Sequence, residues 1–93
     1  MAFAVELSRR AKKDHREYIK ASSPLNKKIA VLLSIISIDP RDKISRIGKP
    51  EQLKHYEKKE VWSRRISKHH RMVYEIIGNK VRVVSLLGHY GDK

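Results

Sequence analysis

The sequence predicts an α+β domain in which two helices pack on one face of an antiparallel four-stranded sheet. Apolar residues recur at helical spacing in the first half of the chain, and the second half changes to the two-residue alternation of strands. A Gly-Asn dipeptide at Gly78 divides two alternating segments, as a two-residue hairpin turn would. The chain has 93 residues without repeats or a linker-like segment. Residues 1–93 are therefore predicted to form a single domain.

The first half of the chain predicts a short strand followed by two helices. Phe3 and Val5 suit the strand, and Ser8 is a suitable N-cap for a polar helix that runs to about Ala21. The thin apolar stripe of this helix consists of Ala11, His15 and Tyr18.

Ser23 as N-cap, with Pro24 at the first helical position, predicts the start of the second helix. This helix is predicted to end at Asp39 and Pro40. Its apolar face has helical spacing and consists of Leu25, Ile29, Leu32, Leu33 and Ile36. We therefore expect it to be the main core helix.

The second half begins with an aperiodic connector, Arg41–Lys59, which precedes the predicted strands. The strands are Val61–Ser67, Arg71–Ile77 and Lys80–Leu87. If Ile77 pairs with Lys80, one mostly apolar face results, formed by Met72, Tyr74, Ile76, Val81, Val83, Ser85 and Leu87. The opposite face would carry Arg71, Glu75 and Arg82, and would remain free for a ligand.

Charge is the strongest compositional signal. The chain has 22 Lys and Arg residues against 10 Asp and Glu residues, a formal net charge of +12. Such an excess implies a polyanionic partner: nucleic acid, an anionic membrane surface or an acidic protein segment. The N-terminal sequence is not that of a signal peptide, and no apolar run is long enough to span a bilayer. Cysteine is absent, so neither disulfides nor thiolate metal sites are expected.

The second half also contains the groups that metal-free RNA cleavage requires: a base, an acid and cations for the phosphoryl oxygens. The candidate base is Glu51, and the candidate acid is His89 beside Tyr90. The candidate cations are Lys49, Lys54, Arg64, Arg65 and Arg71. Spacing alone does not separate these residues from solubilising surface charges or an ordinary terminal histidine. The adjacent His69 and His70 lack metal-ligand spacing, and no cofactor motif is present.

Four motifs in order resemble the YoeB/Txe toxins of the RelE superfamily. They are GKPEQLKH at 48–55, WSRRIS at 62–67, HRMVYEI at 70–76 and HY at 89–90. The resemblance extends over roughly residues 1 to 90 and implies a RelE-like, microbial ribonuclease-type fold. It implies a cytoplasmic, ribosome-dependent endoribonuclease that cleaves messenger RNA in the A site of the 70S ribosome. It further implies an acidic antitoxin partner, toxin–antitoxin hetero-oligomers and a homodimer.

The resemblance also implies residue roles. Glu51 matches the general base, His89 the general acid and Tyr90 the terminal aromatic of the site. Arg71 and Arg65 match the cations around the scissile phosphate.

Lys54 matches a further basic contact. The predicted strand register places Arg71 on the free face but leaves open whether Arg65 or Arg64 accompanies it.

Two alternatives remain at this stage. One is a toxin of the same fold that inhibits DNA gyrase, as the ParE branch does, and does not cleave RNA. The other is a decayed toxin that only binds antitoxin or RNA. Gly91, Asp92 and Lys93 follow the HY pair where the family typically ends, which could alter the terminal contacts of the site.

Overall fold

The computed structural model describes residues 3–43, 47–54 and 58–87. Within these residues the chain forms two α-helices and five β-strands: β1 (Ala4–Leu7), α1 (Arg9–Lys20), α2 (Leu25–Ile38), β2 (Glu51–Leu53), β3 (Glu60–Arg65), β4 (Arg71–Ile77) and β5 (Lys80–Ser85). No helix in this part of the chain has the length and apolar character needed to cross a membrane.

The strands form one mixed sheet in the order β1-β5-β4-β3-β2. The predicted α+β class is confirmed, but the prediction of four antiparallel strands is wrong in two respects. β1 pairs with β5 in parallel, and the three-residue strand β2 lies inside the segment predicted to be a connector. β2 has no detectable alternation at this length, so its pairing with β3 is a tertiary effect that local sequence does not encode.

Both predicted helix starts are confirmed. The Ser8 hydroxyl accepts a hydrogen bond from the Ala11 N–H at 3.0 Å. The Ser23 hydroxyl accepts from the Leu25 N–H at 3.1 Å, and Pro24 has helical dihedral angles. Each contact satisfies a backbone donor that has no partner within the first helical turn.

The core lies between the helices and one face of the sheet. Its buried residues include Ala11 and Tyr18 of α1, Ile29 and Leu32 of α2, and Trp62 of β3. The strands add Met72, Tyr74, Ile76, Val81 and Val83. The predicted apolar face is therefore confirmed over most of its length.

The β4–β5 hairpin has the predicted register near its turn, with Ile77 opposite Lys80 and Glu75 opposite Arg82. Gly78 has a φ of +60°, which the first position of a two-residue type II′ turn requires.

Further from the turn, a register shift pairs Val73 with Ser85 and Tyr74 with Val83, which leaves Val84 as an extra residue. The shift reverses the alternation, so Leu86 is fully buried, whereas Leu87 is only half-buried. For this reason the prediction is wrong for Ser85, which pairs with Val73, whereas Leu87 is partly buried and still packs against the core.

Arg64 is fully buried on the helix side of the sheet and holds the connector in place. Its guanidinium donates to the Tyr74 hydroxyl at 3.1 Å, to the Ile47 carbonyl at 2.9 Å and to the Asp42 carbonyl at 2.7 Å. The Tyr74 hydroxyl in turn donates to the Pro40 carbonyl at 2.7 Å. The buried Arg64 thus binds the backbone at Asp42 and at Ile47, in the segment that leads to β2.

A second contact fixes the start of the connector. The Arg41 guanidinium makes a two-pronged contact with the Glu60 carboxylate at 2.6 and 2.7 Å, and the Trp62 indole N–H donates to the same carboxylate at 2.9 Å. The hydrogen bond from Arg41 is the main cause that lowers the pKa of Glu60 below its ordinary value.

Candidate active site

The sheet face opposite the helices, here named the open face, carries the predicted base Glu51 and two of the predicted cations, Arg65 and Arg71. Strand pairing places Glu51 opposite Ser63, and Arg65 opposite Arg71. Because cross-strand partners point to the same side of a sheet and residues two apart share a face, these four side chains lie on one surface. The Trp62–Tyr74 and Arg64–Met72 pairs point to the helices instead.

Glu51 and Arg71 form the centre of this surface. Arg71 Nη1 lies 3.6 Å from Glu51 Oε1, with 63% of the Glu51 side chain and 34% of the Arg71 side chain exposed. An exposed ion pair of this length contributes at most about 1 kcal/mol, so an incoming phosphate can replace it at little cost. The carboxylate is therefore accessible as a proton acceptor, beside a cation.

The Ser63 side chain lies beneath Arg71 and contacts its guanidinium. It is fully buried, and Arg71 Nη1 lies 3.5 Å from its hydroxyl oxygen, at the long limit for a hydrogen bond. Sequence reasoning missed this residue. Its position two residues before Arg65 in the alternation indicates the open face, but only once the β3–β4 register is known.

Arg65, and not Arg64, accompanies Arg71 on the open face. The two arginines are directly opposed across the β3–β4 pair, where like charges repel. An anion bound between them would relieve this repulsion and could receive several N–H donors at once. The alternative that the sequence left open, Arg64, is excluded because its guanidinium is buried and bound to the connector.

Gly48 brings the chain that carries Glu51 against β3. It has a φ of +76°, and its carbonyl accepts a hydrogen bond from the Arg65 N–H. A Cβ at this position would lie 2.9 Å from Leu32 Cδ2 and 3.1 Å from Arg64 Cβ, so only glycine fits without displacement. Three residues later, β2 begins at Glu51 in register with β3.

Lys54 lies three residues after Glu51, directly after the end of β2. It is exposed and shares with Glu51 a cleft of about 690 Å³. The remaining residues that line the cleft are Lys43, Pro50, Gln52 and Leu53. The structure thus brings Lys54 to the same edge of the sheet as Glu51 but shows no direct contact between Lys54 and the open-face arginines.

His89 and Tyr90 lie outside the described residues, so their predicted roles remain predictions. The chain that leads to them is fixed by α1. The buried Asp14 carboxylate accepts the N–H groups of Leu86 at 3.0 Å and Leu87 at 3.3 Å, and the Tyr18 hydroxyl donates to the Leu86 carbonyl at 2.9 Å.

These contacts correct the predicted stripe of α1. Asp14, and not His15, is the buried residue between Ala11 and Tyr18. Burial and, to a lesser degree, the nearby Asp14 raise the pKa of Tyr18 to about 12, so its hydroxyl remains a proton donor at neutral pH.

The sequence matches those of known bacterial toxins. The profile of the family described as YoeB-like toxin of bacterial type II toxin-antitoxin system matches residues 7–90. Toxin YoeB from Synechocystis sp. is 38% identical over 77 residues, which cover 83% of this chain and 85% of that protein.

Solved structures give the same result. The YoeB dimer from Staphylococcus aureus has a TM-score of 0.78 and 33% identity, and the match covers 97% of this chain and 100% of that chain. The YoeB-YefM complex from the same organism matches with a TM-score of 0.73, 33% identity and the same coverage. These findings confirm the resemblance seen in the sequence motifs. The chain belongs to the family of YoeB-like toxins of bacterial type II toxin-antitoxin systems.

Proposed function

We propose that this toxin is a metal-independent endoribonuclease that cleaves messenger RNA in the A site of the ribosome. The observation that carries the proposal is the open face, where the Glu51 carboxylate lies 3.6 Å from Arg71 and Arg65 lies directly opposite Arg71. A base beside two cations is the arrangement that transfer of a phosphoryl group requires. The net charge of +12 supports a polyanionic substrate.

The reaction assigns one task to each group. Glu51 removes the proton from a ribose 2′-hydroxyl, whose oxygen attacks the adjacent phosphorus. The bond from phosphorus to the 5′-oxygen breaks, and His89 donates a proton to the leaving oxygen. The products are a 2′,3′-cyclic phosphate and a 5′-hydroxyl, so protons and electrons balance without an external reactant.

The cations stabilise the charge that develops on the phosphoryl oxygens. Arg71 and Arg65 bind these oxygens, Lys54 contacts the RNA beyond them, and Tyr90 packs at the site. A general acid or base typically contributes about 10²- to 10⁴-fold to the rate, and a donor to the developing oxyanion about 10²- to 10³-fold. In this proposal the protein side chains alone accelerate the cleavage.

The same proposal covers the partners and the compartment. The S. aureus relatives occur as a YoeB dimer and as a YoeB-YefM complex, which supports a homodimer and an antitoxin complex for this chain. An acidic antitoxin would neutralise part of the +12 charge and cover the basic surface. Action on ribosomes places the toxin in the cytoplasm.

Primer extension on a message programmed into 70S ribosomes tests the proposal. Wild-type protein is compared with the Glu51→Ala and His89→Gln variants, after circular dichroism has verified that each is folded. Wild type is expected to cleave within the A-site codon, and both variants are expected to lose cleavage. If folded wild-type protein leaves the message intact but inhibits DNA supercoiling by gyrase, the nuclease assignment is wrong and the toxin is a gyrase inhibitor.

A further inference from the structure

A pocket of about 400 Å³ lies beside the open face, between the start of α2 and the β3–β4 connection. It is here named the basic pocket, and it is lined by Lys28, Gly48, Lys49, Arg65, Ile66, Ser67 and Lys68. Four of these residues are cations and none is a carboxylate. Arg65 and Lys49 are also among the candidate cations predicted from the sequence.

The charges of the basic pocket are uncompensated within the described part of the chain. The ion pairs found there involve other cations, and none involves Lys28, Lys49, Arg65 or Lys68. Lys28 lies near the N-terminus of α2, whose first turn contains no acidic residue, although the helix dipole favours negative charge at that end. A bound anion would compensate the four cations and would also interact favourably with the N-terminus of α2.

The pocket is also held in shape by hydrogen bonds. The Ser67 hydroxyl accepts the N–H groups of His69 and His70 at 3.2 Å each, and the Ile66 N–H donates to the His70 carbonyl at 2.9 Å. These contacts fix the turn that presents Lys68.

On the opposite wall, Lys49 has a φ of +46°, a conformation that costs a non-glycine residue about 1 to 2 kcal/mol. Backbone strain of this kind tends to occur at ligand-binding sites.

Arg65 connects the basic pocket to the open face. Its side chain lines the pocket, and it lies directly opposite Arg71 in the β3–β4 pair. A chain of phosphates that crosses the open face at Arg71 can therefore continue past Arg65 into the pocket. An acidic protein segment also fits the charge, but RNA is favoured because the shared arginine joins the pocket to the surface that carries Glu51.

We propose that the basic pocket binds a second phosphate of the RNA backbone, next to the phosphate that is cleaved. The proposal rests on the endoribonuclease function and adds a binding site made by Lys28, Lys49 and Lys68. These lysines hold the RNA strand in register with Glu51 and take no part in proton transfer.

The test compares two triple variants that remove the same number of charges. The pocket variant combines Lys28→Gln, Lys49→Asn and Lys68→Gln, with Asn at position 49 because it tolerates a positive φ. The control variant removes three exposed lysines of α1, by Lys12→Gln, Lys13→Gln and Lys20→Gln. The probe is a short fluorescein-labelled 2′-O-methyl oligoribonucleotide, which lacks the attacking hydroxyl and is not cleaved. Fluorescence anisotropy gives its Kd between about 50 and 200 mM KCl.

The pocket variant is expected to bind about tenfold or more weakly than wild type, and the control variant within about threefold. The slope of log Kd against log salt should fall by about 0.7 in the pocket variant, the contribution of one phosphate contact on a single strand. Equal losses in the two variants would overturn the proposal, because only total charge would then matter. So would loss of antitoxin binding by the pocket variant with unchanged RNA affinity, which would assign the pocket to an acidic protein.

The outcome is separable from that of the cleavage assay. If wild type binds the probe through the pocket but does not cut ribosome-bound message, the nuclease function fails and the phosphate site stands. If wild type cuts the message and the pocket variant both binds the probe and cuts normally, the phosphate site fails and the nuclease stands.

Discussion

Replacement of Arg64 or Arg65 by glutamine is expected to produce opposite phenotypes, although the residues are adjacent. Arg64 is fully buried under the sheet, whereas Arg65 lies on the open face opposite Arg71. Arg64→Gln should therefore reduce the stability of the fold, and Arg65→Gln should reduce RNA cleavage in a stable protein.

The magnitude for Arg64 follows from its contacts. Its guanidinium donates to the Tyr74 hydroxyl and to the carbonyls of Ile47 and Asp42. Hydrogen bonds from a charged donor contribute about 1.5 to 3 kcal/mol each, and release of the buried charge from a low-dielectric site offsets part of their loss. A net decrease of about 2 to 4 kcal/mol in the free energy of unfolding is expected. For a domain of this size that lowers Tm by roughly 10 to 25 °C.

Arg65→Gln removes a partly exposed cation, so the free energy of unfolding should change by no more than about 0.5 kcal/mol. Its cleavage rate should fall by about 10²- to 10³-fold, as expected for loss of a phosphate-binding cation. Thermal unfolding followed by circular dichroism and cleavage of ribosome-bound message well below Tm measure the two effects. Arg64→Lys is a graded control, because it keeps the charge but cannot reach all three acceptors. An Arg64→Gln variant as stable as wild type, or a strongly destabilised Arg65→Gln variant, would refute the assignment of the two faces.

Three further predictions concern residues that support the site. Gly48→Ala should lower the free energy of unfolding by about 1 to 3 kcal/mol, because the methyl group would crowd Leu32 at a positive φ; urea unfolding measures this. Glu60→Gln should cost about 1 kcal/mol at neutral pH. Because Arg41 lowers the pKa of Glu60, this stabilisation is present above the ordinary value of 4.5 and disappears as the pH falls through the lower folded value. Wild type and Glu60→Gln should thus converge in acid-denaturation curves, and a constant difference would contradict the reasoning. Asp14→Asn should lose about 1 to 2 kcal/mol and slow cleavage, because its carboxylate holds the chain that leads to His89; equal Tm and rate to wild type would remove that role.

Much of the fold was predictable from local patterns. Both helix starts follow from their cap residues, and the register near the hairpin turn follows from Gly78 and the alternation on either side of it. β2 was not predictable, because three residues after a proline carry no pattern and form a strand only by pairing with β3. The parallel pairing of β1 with β5 joins distant segments, which local sequence does not specify.

The site was also predictable only where local sequence patterns determine it. Position in an alternating strand placed Arg71 on the open face, but the choice between Arg64 and Arg65 depended on the β3–β4 register, which the residues 66–70 set. The burial of Asp14 contradicts the usual exposure of carboxylates, and its backbone partners lie more than 70 residues away in sequence. The basic pocket also joins distant segments, so the local sequence did not show that Lys28 and Lys68 lie beside the candidate cation Lys49.

The most direct test of the central claim is the rate at which two glutamate variants cleave ribosome-bound message under single-turnover conditions. Glu51→Gln and Glu75→Gln make the same change on the same face of the sheet, but Glu51 lies beside Arg71, whereas Glu75 lies opposite Arg82 in the strand register. If Glu51 is the general base, Glu51→Gln should cleave about 10²- to 10⁴-fold more slowly than wild type, and Glu75→Gln within about twofold of it. A folded Glu51→Gln variant that cleaves at the wild-type rate would contradict the proposed mechanism.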